Sequence, residues 1–429
     1  MLKILINAYA VNPNWGSEPG LGWNWVCNLA KYCDIYVITE GEWRTEIETV
    51  MEEALCKGID ASGKLTKKQA ERLHFYYNPV SDKVRQICWN QGDWRFYWYY
   101  RKWQQSTLKI ARQICTQNKI DLIHHLNMIG FREPGYLWKI ENIPYVWGPI
   151  GGMDMIPINY LKGIPASLLI KSRIKNIISD FQRRHSPRVI KAMKKSDTVI
   201  AATISSYEFI KKYYKNNVIL MGETGCSNKT VNNVWKRKSE TFDLIWVGRF
   251  LYTKMLDLAL QIMSNLNDYS NIHLHIYGNG QESDITRYHK LCDDLSLNNN
   301  VHWYGKVSNA EVQKKMNEAD ILLFTSIMEG TPHVVMEALG NNLPIICFDT
   351  CGQGNCVDDT CGIKIPLTNP EQSINDFSSA ILELYHSPEK LSKLKQGCHS
   401  RQVELSWDKK VERMLKIYDD AIAHFKQTI

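Results

Sequence analysis

The C-terminal half of this chain repeats one cycle: an apolar run of strand length, a turn rich in glycine or polar residues, then a helix. DLIWVGRFLYTKMLDLAL, from Asp243 to Leu260, ends its run in Val-Gly-Arg and continues through a loop into an amphipathic helix. IHLHIYGNGQE, from Ile272, runs into a turn at Gly278 and Gly280, and VHWYGKVSNAEV repeats the pattern with Ser308 as a cap three residues before Glu311. ILLF at Ile321 is a buried-strand run, Glu-Gly-Thr-Pro a turn and helix start, and HVVMEAL continues that helix. The N-terminal half opens likewise: KILINA leads into a loop with Gly16, Gly20 and Gly22, then a helix carrying Trp25, Val26 and Leu29. Such alternation predicts an α/β protein, and 429 residues exceed one core and suffice for two domains of this kind.

The chemistry concentrates where Glu329 and Glu337 stand eight positions apart around the turn Gly330-Thr331-Pro332. Backbone N–H groups at the start of the helix suit a phosphate, and carboxylates accept hydrogen bonds from sugar hydroxyls. Together they suit a nucleotide sugar; a loop Glu and a helix-edge Glu facing solvent fit the local sequence too. Gly248, Arg249 and Lys254 leave the C-terminal end of the Asp243 strand, the usual ligand crevice of an open α/β sheet, where positive charge would neutralise a diphosphate. A basic pair after a strand is also a common surface feature. The turn at Gly278 and Gly280 admits positive φ or a close backbone approach to the ligand, and a tight strand-to-helix connection needs the same residues. The Gly16 loop lacks the compact G-x-G-x-x-G spacing and ribose-binding acid of a dinucleotide fingerprint. Glu18 in that loop either reaches the ligand or serves as a cap or surface residue. In DLIHHLNM, His124 and His125 are adjacent, so a continuing strand sends them to opposite faces and one of them into a site. Arg132 and Glu133 either meet substrate or pin their loop through an ion pair.

The E-x7-E spacing around Gly-Thr-Pro resembles the signature of the family 4 retaining glycosyltransferases (glycosyl transferases group 1), which have the two-domain GT-B fold. The resemblance covers most of the chain and extends to Trp-Gly-Pro-Ile-Gly-Gly at Trp147. It implies two Rossmann-like domains facing across a cleft: an acceptor-binding domain at 1–222, a linker at 223–240, a nucleotide-sugar domain at 241–400, and a helical segment at 401–429 returning to the first domain. It also implies that Glu329 contacts the donor sugar and Glu337 the ribose, that Gly330, Thr331 and Pro332 hold the diphosphate and sugar, and that Gly305 to Val307 borders the base. Gly16 would close over the donor, Arg249 and Lys254 would support the leaving group without a bound metal, and a histidine, His125 in preference to His124, would organise the reacting site. The implied reaction is hexosyl transfer with retention, from a UDP-sugar in preference to a GDP-sugar, to a glycan or lipid-linked acceptor of a cell-surface polysaccharide or glycolipid. No cofactor is expected beyond the nucleotide-sugar co-substrate. A nucleotide-sugar epimerase or sugar phosphorylase on the same scaffold is the alternative. A glycosidase would show a close carboxylate pair, which two glutamates at different places along one loop and helix do not form.

The net charge of +7 is uneven: between Tyr160 and Lys215 thirteen Lys or Arg face three Asp or Glu. WNQGDWRFYWYYRKWQQ, from Trp89, interleaves aromatic and basic residues, a composition suited to anionic membrane surfaces. The rings equally fit an internal core. Nucleic-acid binding ranks lower, because no zinc-finger or RNA-binding motif accompanies the charge and the glutamate signature would have no purpose. The twelve cysteines are scattered without a tight Cys-x-x-Cys pair, and no signal-peptide pattern or apolar stretch near 18 residues appears. The expected location is therefore cytoplasmic, peripheral on the inner face of the plasma membrane.

Overall fold

The computed structural model describes residues 1–89, 94–161, 163–226, 240–330 and 332–428. Thr331, most of the expected linker and part of the aromatic run at Trp89 lie outside the described residues. The chain divides into two compact units. The first comprises Met1–Met153, Ser179–Glu223 and Trp407–Ile429; the second comprises Asp154–Ile178 and Thr224–Ser406.

The first unit holds a seven-stranded sheet: β1 (Lys3–Ala8), β2 (Asp34–Thr39), β3 (Leu73–Tyr77), β4 (Leu122–Asn127), β5 (Tyr145–Ile150), β6 (Thr198–Ala201) and β7 (Val218–Leu220). Its order is β3-β2-β1-β4-β5-β6-β7, with every pairing parallel. Alternation sends Ile4, Ile6, Ile35 and Val37 into one core and Leu5, Tyr36 and Ile38 into another. That explains why the strands read as continuous apolar runs: both faces are covered. The helices Ser17–Leu29 and Trp407–Thr428 supply Trp25, Val26, Met414 and Tyr418 to the first core. The helix Trp94–Gln117 supplies Phe96, Tyr100 and Trp103 to the second. These three rings of the aromatic run are therefore core residues, while Trp98 stays exposed with the Lys102 ammonium 3.6 Å from its ring centre.

The second unit repeats the plan with six parallel strands: β8 (Phe242–Arg249), β9 (Ile272–Asn279), β10 (Val301–Gly305), β11 (Ile321–Phe324), β12 (Ile345–Phe348) and β13 (Gly362–Ile365). They run β10-β9-β8-β11-β12-β13. Leu244, Trp246, Ile321 and Leu323 enter one core, and Ile245, Leu322 and Phe324 the other. Asp154–Ile178 joins this unit through Ile156, Tyr160 and Leu161, which enter the first of these cores, and the Tyr160 hydroxyl lies 2.7 Å from Ser373 Oγ. Ser308 caps the helix Asn309–Glu318 by accepting from the Glu311 N–H at 3.2 Å.

In both sheets the winding reverses beside the first strand, between β1 and β4 and between β8 and β11. Ligands of open α/β sheets bind at the carboxyl ends of the strands flanking such a reversal.

Candidate functional site

In the second unit, β8 ends at exposed Arg249, and the chain then makes a single 3-10 turn, Tyr252–Lys254. This turn is stapled to the exit of β11. Ile327 donates its N–H to Thr253 O at 2.9 Å, Thr325 Oγ1 donates to Lys254 O at 2.8 Å, and the Trp246 indole donates to Thr325 Oγ1 at 3.1 Å. The staple fixes the root of Lys254 across the switch point, and its ammonium pairs with the Glu329 carboxylate from the β11 loop. Both side chains are less than one-fifth exposed. Desolvation, then repulsion from Arg249, pushes the Lys254 ammonium down to about 8. Ser326 Oγ lies 3.4 Å from the Glu329 oxygen.

Gly330 and Pro332 follow, and Pro332 caps the helix His333–Gly340. The first turn of that helix leaves N–H groups without intrahelical acceptors. The short helix Cys351–Cys356 backs this loop: Gly352 donates its N–H to Glu329 O at 3.0 Å, and Gln353 Nε2 donates to Ser326 O at 2.9 Å. A Cβ on Gly352 would lie 2.1 Å from Gly330 O, so only glycine permits this approach.

Glu337 stands half-buried on the same face-forming helix and accepts from Asn309 Nδ2 at 3.1 Å. Asn309 opens the helix two residues after Val307, so this hydrogen bond ties the start of that helix to Glu337. Gly278 and Gly280 have a packing reason for being glycine: a Cβ on Gly278 would lie 1.9 Å from Gly248 O, and one on Gly280 2.6 Å from Phe250 Cβ. These glycines let the ends of β8 and β9 close up and thereby hold Arg249 in register with Asn279.

The first unit has its own polar cluster at its switch point. His124 is fully buried with both ring nitrogens engaged, Nε2 on Gly148 O at 2.6 Å and Nδ1 on the Tyr418 hydroxyl at 2.7 Å. Burial pushes its imidazole down to about 4 despite the Gly148 hydrogen bond. His125, also buried, is pushed down to about 3 by desolvation and by the neighbouring His124. The Asn7 amide donates to His125 Nδ1 at 3.1 Å and to Gln104 Oε1 at 2.7 Å, which leaves the ring proton on Nε2. His125 Nε2 is buried and has no hydrogen-bond partner. Of the two histidines, His124 is spent on structure and His125 keeps a free donor.

Gly16 lies exposed ahead of the helix Ser17–Leu29. Glu18 reaches across and accepts from the Ile129 N–H at 2.9 Å, just beyond β4. Desolvation raises its carboxyl from 4.5 to about 7, against the pull of that N–H. Glu133 is buried between Arg101 and Arg188, and Arg132 donates to Ser179 Oγ and Gln182 Oε1, so this loop is pinned by its ion pairs. Among the described residues no group of three His, Cys, Asp or Glu is arranged to hold a metal ion.

Sequence reasoning missed Thr325, Ser326, Gln353 and Asn309. Their hydroxyls and amides act through contacts made only in the folded chain, and no local spacing announces them.

Two parallel, doubly wound sheets, each with polar groups at its switch point, define a protein of the GT-B class. The architecture matches the lipopolysaccharide outer core galactosyltransferase WaaB in its apo form, with a TM-score of 0.61 at 14% identity over 100% of both chains. It also matches Anabaena HepE in complex with UDP, with a TM-score of 0.58 at 12% identity over 97% of this chain and 100% of that one. Residues 227–400 match the family model for glycosyl transferases group 1. The chain is thus a GT-B-fold relative of glycosyl transferases group 1, and the family match falls on its second unit. It is 26% identical to the capsular polysaccharide biosynthesis glycosyltransferase CapH of Staphylococcus aureus over 52% of this chain and 65% of that protein. It is 30% identical to a lipopolysaccharide 1,6-galactosyltransferase of Escherichia coli over 31% of this chain and 35% of that protein. The aligned stretches therefore span between about one-third and two-thirds of these relatives' own lengths.

Proposed function

We propose that the chain is a retaining glycosyltransferase that moves a hexose from a UDP-sugar to a glycan or lipid-linked acceptor of the cell surface. The observation that carries this reading is the Lys254–Glu329 pair at the switch point of the second sheet, with Glu337 on the helix that follows. The N–H groups ahead of that helix and the cations of Arg249 and Lys254 would bind the diphosphate. Glu329 would orient the sugar hydroxyls, and Glu337 would accept from the ribose beside the Gly305–Val307 loop. Capsular polysaccharide and lipopolysaccharide in the relatives' names support a cell-surface acceptor.

In the reaction the bond from the anomeric carbon to the phosphate oxygen breaks while the acceptor oxygen bonds to the same face. The acceptor proton passes to the departing phosphate. Arg249 and Lys254 stabilise the negative charge that grows on that phosphate, the point at which fixed cations are most effective. His125, neutral and carrying its proton on Nε2, would donate to a sugar or acceptor oxygen.

Calorimetric titration with UDP, GDP and ADP tests the donor site. UDP is expected to bind saturably, and Glu337→Ala to weaken it at least tenfold, because two ribose hydroxyls lose a charged acceptor. Absence of binding to any of the three by folded protein would defeat the assignment. Product formation only with a separate acceptor and without added phosphate separates transfer from epimerisation and phosphorolysis.

A further inference from the structure

The loop that follows β1 turns a tryptophan outward and holds it there. Trp15 is 49% exposed, and its ring lies 5.4 Å from that of half-buried Trp43, which follows β2, at an angle of 47°. Asn12, fully buried, fixes the backbone beneath it. Its Oδ1 accepts from the N–H groups of Asn14 at 2.7 Å and Trp15 at 3.1 Å, and its own N–H donates to Pro19 O at 3.0 Å. The arrangement is costly. Asn12 Nδ2 is buried without a hydrogen-bond partner, and Ser17 stands at φ +54°, in the left-handed region that residues with a side chain rarely occupy. Strain of this kind persists where the surrounding structure enforces it, and it gathers at ligand sites. Glu18 then turns the other way, with Oε1 on the Ile129 N–H beyond β4 and no partner among the described residues for Oε2.

The strands at this edge run β2-β1-β4, so Trp43, the loop carrying Trp15 and Glu18, and Ile129 follow three adjacent strands of the first unit. At about 4.8 Å between neighbouring strands the row is about 10 Å long, the reach of two linked pyranose rings. Exposed Asn14, Ser17 and Arg44 give it a polar rim. A protein partner needs about 1,000 Å² or more of buried surface, far more than one ring pair offers. A nucleotide would stack its base on Trp15 but bring its phosphates toward the Glu18 carboxyl. A sugar chain meets both ends of the row, because a pyranose has an apolar C–H face for the indole and hydroxyls that donate to a carboxylate.

We propose that the loop from Asn12 to Glu18 is a glycan subsite of the first unit, in which Trp15 and Trp43 carry the C–H face of one pyranose and Glu18 binds a hydroxyl of the next. The inference rests on the glycosyltransferase reading and gives the acceptor's sugar rings their binding residues. The test is saturation-transfer NMR of the full chain with maltose, cellobiose, lactose and N,N′-diacetylchitobiose, with UDP calorimetry on the same samples. Affinities are measured at pH 8, above the value of about 7 at which the Glu18 carboxyl titrates. Wild type is expected to bind at least one of the four, with the protons of one pyranose face receiving most of the saturation. Trp15→Ala is expected to weaken that binding about fivefold and Trp15→Phe about twofold, the range of an aromatic stacking contact. Glu18→Gln is expected to weaken it about threefold, as a neutral acceptor replaces a charged one. Unchanged circular dichroism identifies the variants as folded. Failure of wild type to bind any of the four overturns the proposal, as does equal binding by Trp15→Ala. Loss of UDP affinity in Trp15→Ala also overturns it and assigns the ring to the nucleotide. Disaccharide binding that depends on Trp15, in a wild type that binds no UDP, refutes the donor reading and leaves the subsite standing.

Discussion

Glu18→Gln isolates the cost of keeping a carboxyl desolvated between the loop after β1 and the chain beyond β4. In the native chain this group titrates at about 7 against an ordinary 4.5. Between those two values the native state holds a proton that the unfolded chain has released, so stability falls as pH rises across the window. Above 7 the loss is complete, and below 4.5 it is absent. At 1.36 kcal/mol per pKa unit the gap corresponds to about 3 kcal/mol, and about 2 after allowing for the part of the side chain that meets water. Glutamine preserves the shape and the oxygen that accepts from the Ile129 N–H, and it carries no charge at any pH. Urea unfolding followed by tryptophan fluorescence at a series of pH values is the assay. Glu18→Gln should match wild type near pH 4.5 and exceed it by about 2 kcal/mol at pH 8. A variant no more stable than wild type at pH 8, or a difference independent of pH, would refute the reasoning.

Gly278→Ala should cost about 3 kcal/mol or more, because its Cβ would stand 1.9 Å from Gly248 O and the ends of β8 and β9 would have to part. Gly305→Ala, at φ +66° with open space around it, should cost only about 1 kcal/mol of backbone strain; thermal unfolding of the pair separates the two cases. Lys254 carries its charge below about 8, so UDP affinity measured by calorimetry should decline as pH rises through that value, and Lys254→Gln should bind more weakly and lose the dependence.

The α/β character of both units was readable where an apolar run is closed by a glycine or polar turn and followed by a helix; the strand order was not. Lys254 and Glu329 were readable as neighbours because each follows a strand, and parallel strands deliver their C-terminal ends to one edge. The division of labour between His124 and His125 was not. It depends on Tyr418, which lies 294 positions from His124, and on Gly148 O, and no periodicity encodes either contact. Pairing of Asp154–Ile178 with the second sheet was hidden for the same reason, since Tyr160 finds its partner at Ser373.

The segment from Trp407 onward belongs to the first unit, where Trp407 packs edge-on against Trp25 at 5.3 Å and Lys410 donates to Gly222 O at 2.7 Å. During synthesis, then, β1 to β7 leave the ribosome long before the helix that completes their core. At about 5–20 residues per second, the stretch between Glu223 and Trp407 takes on the order of 10–40 s to make. Throughout that interval His124 lacks the Tyr418 hydroxyl and the surface around Trp25 lacks its cover, while the second sheet is being assembled. The unit that begins the chain is thus the last to be finished, and a nascent chain stalled anywhere before Trp407 presents an open apolar face to chaperones.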